Sequence, residues 1–240
     1  MDITQSTKNP IIRINGLRKV YKVGTEKVVA LDKIDLDIYE GEICCILGTS
    51  GSGKSTLLNM LAGLEKPSKG TITIGKSVIS KFNESKLVKF RQKYIGFVFQ
   101  SYNLLNALTA LDNVELPLVF QRIDKEKRVK MAKRMLKDVG LADRMMHRPN
   151  QMSGGQQQRV GIARAFVGKP KIVFADEPTG NLDTKTTQEV MDIIVSMART
   201  HNQTLILVTH DEEIASYADR IVHITDGSID SIRETKKRGN

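Results

Sequence analysis

Gly48-Thr49-Ser50-Gly51-Ser52-Gly53-Lys54-Ser55 reads G-x-x-x-x-G-K-S, the spacing of a phosphate-binding loop. Glycines open backbone conformations closed to other residues, so successive amide N–H groups can turn inward around an anion. Lys54 adds a mobile positive charge for the outer phosphates of a nucleotide, and the Ser55 hydroxyl suits a Mg²⁺ ion. The flanks agree with this reading. Ile43-Cys44-Cys45-Ile46-Leu47 is a short apolar run of the buried-strand kind, while Leu57, Leu58, Leu61 and Leu64 recur at helical spacing and Gly63 is a candidate helix end. Strand, glycine loop and helix aim a helix N-terminus at phosphate. The glycine spacing and the lysine that follows argue against a dinucleotide fold.

The chain has 240 residues, 40% hydrophobic and 27% charged, enough to bury a sizeable core in one domain or two joined lobes. No apolar stretch approaches the roughly 20 residues that cross a bilayer. The segment from Met1 to Arg13 lacks the features of a secretory signal, so a cytoplasmic protein is expected. Cys44 and Cys45 are adjacent and fall on opposite faces of a strand, which suits core packing rather than a disulfide. The four histidines are dispersed and lack zinc-ligand spacing. A net charge of +10 raises nucleic-acid binding, but aromatics are only 5% and tryptophan is absent, so no base-stacking surface is expected. The basic stretch from Arg122 to Lys137 reads as the solvated face of a helix, and Arg233 to Arg238 as a frayed tail.

Short apolar runs at Ile11-Ile12, Val28–Leu31 and Ile34–Ile38, the last alternating with Asp at a period of two, predict antiparallel strands, with another at Gly70–Gly75. Ile95–Phe99 predicts a buried strand leading to Gln100. From Asn103 to Gly140 the pattern is helical, broken by Pro117. Strands at Ile172–Ala175, Leu205–Val208 and Ile221–Ile224, with a helix near Gln188–Arg199, imply a mainly parallel sheet.

Lys171-Ile172-Val173-Phe174-Ala175-Asp176-Glu177 is an apolar strand ending in two carboxylates, at the sheet edge where open α/β sheets bind ligands. Asp176 can hold Mg²⁺ directly or through water, and Glu177 can polarise an attacking water. A plain turn before Pro178 is the alternative. Met152-Ser153-Gly154-Gly155-Gln156 precedes a helical stretch, Gln157–Phe166. Ser153 serves there as an ordinary N-cap, or the glycines bare amides for a second anion cradle.

With both cradles in one chain, the sequence resembles the ATP-binding cassette ATPases, whose signature reads LSGGQ. The resemblance spans roughly Ile11 to Ser231, leaving 1–10 and 232–240 as tails. It implies a RecA-like P-loop NTPase core of α/β class, with an antiparallel β subdomain and an α-helical subdomain at roughly 101–165. It also implies an ATPase. Tyr21 matches the aromatic residue that stacks on adenine. Gly48 through Ser55 and Thr56 match the ATP-binding loop. Gln100 matches the glutamine that senses Mg²⁺ and the membrane partner, so Ser55, Gln100 and Asp176 form the implied metal set. Glu177 and His210 match the catalytic carboxylate and the switch histidine. Ser153, Gly154, Gly155 and Gln156 match the signature that acts in trans, and Asp183 in Gly180-Asn181-Leu182-Asp183 matches the loop reaching across the dimer. Met152 departs from the usual leucine by a swap of similar volume.

The implied partners are a second copy and a transmembrane permease, with the cassette peripheral on the inner membrane face and no nucleic acid bound. Phe99–Leu105, Leu108–Leu118 and Ala175–Asp183 resemble the bacterial branch of macrolide exporters, lipoprotein-releasing complexes and antimicrobial-peptide exporters. That branch also holds a cell-division pair. An ATP-driven mechanotransmitter or regulator of a membrane partner is therefore the alternative to transport.

Overall fold

A computed structural model describes residues 9–235. Two sheets divide the work. Strands β1 (Pro10–Val23) and β2 (Glu26–Tyr39) pair antiparallel, and β4 (Lys69–Ile74) and β5 (Ser77–Val78) complete a four-stranded sheet of order β2-β1-β4-β5. The second sheet has the order β10-β9-β3-β8-β7-β6. It is built from β3 (Ile43–Leu47), β6 (Ile95–Phe99), β7 (Ile172–Asp176), β8 (Thr204–Thr209), β9 (Arg220–Thr225) and β10 (Ser228–Glu234). All of its neighbours run parallel except β10, which returns antiparallel along the β9 edge.

Parallel strands covered on both faces lose the polar–apolar alternation. Every residue of β3 and β8 is buried, as their unbroken apolar runs require. Cys45 joins the core beneath α3 (Ala110–Phe120), α4 (Lys125–Asp138), α5 (Gly154–Val167) and α6 (Thr184–Thr200). Cys44 faces the other way, into a core shared with the antiparallel sheet, α1 (Lys54–Leu61) and α2 (Glu84–Tyr94). Both thiols are free. A single turn, α7 (Glu212–Ala215), follows β8.

The departures from sequence expectation have physical causes. The separate apolar runs of the first forty residues merge into two 14-residue strands, because irregularities such as the one between Ile14 and Leu17 shift register without ending the pairing. Pro117 sits inside α3 instead of breaking the region there. Proline costs the helix one amide donor, and packing of the buried Val114 and Leu118 beside it outweighs that loss. The chain turns at Arg122, whose φ is +58°. α1 stops at Leu61, and Leu64, beyond the left-handed Gly63, is left exposed. In α4 the buried Ala132, Met135 and Leu136 form one face and the charges the other. Arg233 and Glu234 are strand residues rather than frayed tail, since β10 pairs them with Ile221 and Arg220. Residues 1–8 and 236–240 lie outside the described residues, and with them the Lys236–Arg238 part of the expected frayed tail.

Candidate functional site

The loop Gly48–Gly53 leaves the end of β3 and enters α1 at Lys54. Gly53 holds φ +102°, a conformation that side chains strain to adopt, and a β-carbon there would meet the Ala30 carbonyl at 2.6 Å. At Gly48 a β-carbon would lie 2.3 Å from the Ile224 carbonyl. The loop is therefore clamped between β2 and β9. Lys54 is buried at 6% exposure, and its ammonium donates to the Thr49 carbonyl at 2.8 Å, curling the side chain back over the loop.

This loop forms one wall of a cavity of about 870 Å³. Gly48, Thr49, Ser50, Gly51, Gly53, Lys54, Ser55 and Thr56 line it, with Gln100, Glu177 and His210 facing them. The chain thus gathers its glycine loop, a strand-end glutamine, an acid and a histidine in one cleft. Ser52 lies just beneath, 3% exposed, with its hydroxyl oxygen unpartnered.

Asp176 ends β7 next to the loop, within the influence of the Ser55 hydroxyl. Burial pushes the Asp176 carboxyl above its usual range and the Glu177 charge pushes it further, while Lys54 and the Ser55 hydroxyl pull it back. Its Oδ1 is buried without a partner. A buried, unpartnered carboxylate oxygen beside the glycine loop fits a hard divalent cation that draws further oxygens from phosphate. Glu177 stands at φ +46°, a left-handed conformation that costs a non-glycine residue about 1–3 kcal/mol. Its N–H donates to Val208 at 2.9 Å, pinning the strained turn to β8. Across that edge His210 Nδ1 meets Glu177 Oε1 at 2.8 Å. A carboxylate accepts only, so Nδ1 carries the proton and Nε2 is the nitrogen left uncommitted.

Gln100 packs against Gly180, where a β-carbon would strike its Nε2 at 2.6 Å, and Asn181 donates to its carbonyl at 3.1 Å. Tyr21, the Ser153–Gln156 segment and Asp183 stand apart from the cleft lining. Tyr21 donates its phenol to Glu65 at 2.7 Å, and the Lys19 ammonium sits 4.8 Å from its ring centroid. Ser153 caps α5 reciprocally: its hydroxyl accepts from the Gln156 N–H at 3.3 Å, and Gln156 Oε1 accepts from the Ser153 N–H at 3.1 Å. Neither Ser153 nor Gly154, Gly155 and Gln156 lines the cavity. Asp183 caps α6, and bonds from the Thr186 N–H and hydroxyl hold its carboxyl below the usual range. Ala30, His223 and Thr225 line the cleft without having been singled out from sequence. The parallel pairing of Leu47 with His223 carries β9 there, which no local motif announces.

A RecA-like parallel sheet whose glycine loop and acidic strand meet in one cleft defines a P-loop nucleoside triphosphatase. The family model described as ABC transporter matches residues 31–180. YknY of Bacillus subtilis strain 168, an uncharacterised ABC transporter ATP-binding protein, is 47% identical over 219 residues, covering 91% of this chain and 95% of the relative. The ATP-binding cassette MJ0796, from Methanocaldococcus jannaschii, is 44% identical over 233 residues, covering 95% of this chain and 98% of its own length. Its structure as a post-hydrolysis dimer bound to ADP and Pi superposes with a TM-score of 0.87 at 41% identity, covering 94% of this chain and 99% of that one. A macrolide export ATP-binding/permease protein, MacB of Wolinella succinogenes, is 43% identical over 92% of this chain, which spans 34% of that longer relative. The chain belongs to the ABC transporter family and is an ATP-binding cassette, an ATPase. No helix among the described residues is long and apolar enough to cross a membrane.

Proposed function

We propose that this cassette closes with a second copy of itself around two Mg-ATP and, by hydrolysing them, drives a bacterial membrane exporter or extractor of the macrolide, lipoprotein or antimicrobial-peptide type. One observation carries the dimer. The capped N-terminus of α5, with Ser153 to Gln156, lies outside its own protomer's cleft, so its half-buried Gly154-Gly155 end is available to a partner's nucleotide. The dimeric, ADP-and-phosphate state of MJ0796 supports that reading, and the MacB relatives support export and a permease partner.

Within the cleft, the amides from Gly48 to Gly53 and the Lys54 ammonium bind and orient the β- and γ-phosphates. Ser55, Asp176 and Gln100 would hold Mg²⁺, which when bound offsets negative charge on the phosphates. Glu177 orients the attacking water and accepts its proton. His210 steadies Glu177 through Nδ1 and offers Nε2 toward the γ-phosphate. Tyr21 would turn its ring to adenine by releasing Lys19, and Asp183 would meet the partner across the dimer.

The test is light scattering of the purified Glu177→Gln chain with Mg-ATP. A dimer that needs ATP and dissolves on its removal is expected; a monomer at saturating ATP overturns the two-sided site. Affinity purification from native membranes should recover a permease, and recovery of a hydrolase or sensor complex without one would favour the mechanotransmitter.

A further inference from the structure

Gln158 lies in the second turn of α5 and is fully buried. Its Nε2 donates to the Phe99 carbonyl at 3.2 Å and also to the Pro178 carbonyl. Both acceptors are carbonyls, so the amide face of the side chain is fixed by its partners. Phe99 directly precedes Gln100, and Pro178 directly follows Glu177. One amide therefore reaches from the signature helix to the backbone beside the expected metal-sensing glutamine and beside the expected catalytic acid.

Both backbones need holding. Glu177, Tyr102 and Asn103 are left-handed non-glycine residues, at φ +46°, +58° and +49°. Arg164, farther along α5, donates to the Tyr102 carbonyl at 2.8 Å and the Asn103 carbonyl at 2.6 Å, so the same helix braces the first loop twice. We infer that Gln158 is a positioning residue that locks the Gln100 and Glu177 loops to the helix whose N-terminus carries Ser153. If that N-terminus caps the partner's nucleotide, as the proposed dimer has it, Gln158 joins the cap of one site to the chemistry of the other. This last clause rests on the dimer reading; the lock within one protomer does not.

The test compares the purified full chain with Gln158→Met, which keeps an unbranched side chain of similar size but removes both donors. Gln158→Asn is the second variant, since its shorter amide reaches one carbonyl rather than two. Turnover and KM for ATP are measured beside hydrogen exchange of residues 99–103 and 177–181 without nucleotide. For Gln158→Met, kcat falls about 10- to 100-fold with KM changed less than about twofold, and exchange quickens in both loops. Gln158→Asn falls between, and carries the test if the methionine variant folds poorly. Wild-type turnover in both variants overturns the inference. So does a loss of turnover with either loop's exchange unchanged. A failure of Glu177→Gln to dimerise, with Gln158 intact, would count against the shared site alone.

Discussion

His210 and Glu177 stand at the ends of adjacent parallel strands, β8 and β7, and share a hydrogen bond from Nδ1 to Oε1 of 2.8 Å. The bond spans the cleft edge opposite the glycine loop, and the two side chains differ in exposure, 66% for His210 against 20% for Glu177. The acid is thus sheltered and aimed, while the imidazole remains free to respond to what enters. Glu177→Gln keeps the shape and removes the carboxylate charge. Nucleotide binding should persist while hydrolysis falls about 10²- to 10⁴-fold, measured as phosphate release against ATP concentration. Near-normal turnover would remove Glu177 from the chemistry.

Lys54→Ala removes the one ammonium folded over the loop, and ATP affinity measured by calorimetry should drop steeply. Unchanged affinity would mean the loop does not grip phosphate. Gly48→Ala tests the clamp differently. Its new methyl would collide with the Ile224 backbone, not with a yielding side chain, so both nucleotide binding and thermal midpoint should fall.

Ser153→Arg removes the hydroxyl cap of α5, a loss of about 1 kcal/mol, and puts bulk where a partner would close. The variant should bind ATP as a monomer and fail to dimerise in the Glu177→Gln background. Undiminished dimer formation would exclude this helix end from the interface.

Asp176 yields a pH prediction whose sign follows from its raised pKa. A carboxyl whose folded-state pKa exceeds the unfolded one opposes folding fully above the folded value, and that opposition fades as pH falls through it. Asp176→Asn should therefore stabilise the nucleotide-free chain at neutral pH. The gain in thermal midpoint should shrink toward zero as acid protonates the wild-type carboxyl below its unfolded pKa. The variant should also lose Mg²⁺-dependent hydrolysis, a trade of activity for stability. A midpoint difference that does not depend on pH would show that the carboxylate is not strained by burial.

Much of this architecture is written in local patterns. The loop beginning at Gly48 and the strand ending at Asp176 are legible because their chemistry needs neighbours in sequence, and a five-residue apolar run such as Ile43–Leu47 is too short for a helix and suits a strand covered on both faces. Ser153 is legible as a cap for the same reason. What escapes local reading depends on distant pairing. His223 and Thr225 reach the cleft through strand order, and Gln158 is an unremarkable polar residue until the fold brings Phe99 and Pro178 to it. Tyr21 shows a third limit: its residue type suits adenine, while its actual partners, Glu65 and Lys19, come from side chains that sequence does not orient.

The back-to-back thiols of β3 turn the chain into its own unfolding gauge. Burial pushes the Cys45 thiol up to about 12 and the Cys44 thiol higher still, so neither forms the thiolate that alkylating reagents attack while the sheet is intact. Each reports on a different face, Cys44 toward the antiparallel sheet and Cys45 toward the helices. Maleimide adducts counted by mass over time would then tell whether the two halves of the molecule come apart together or one ahead of the other.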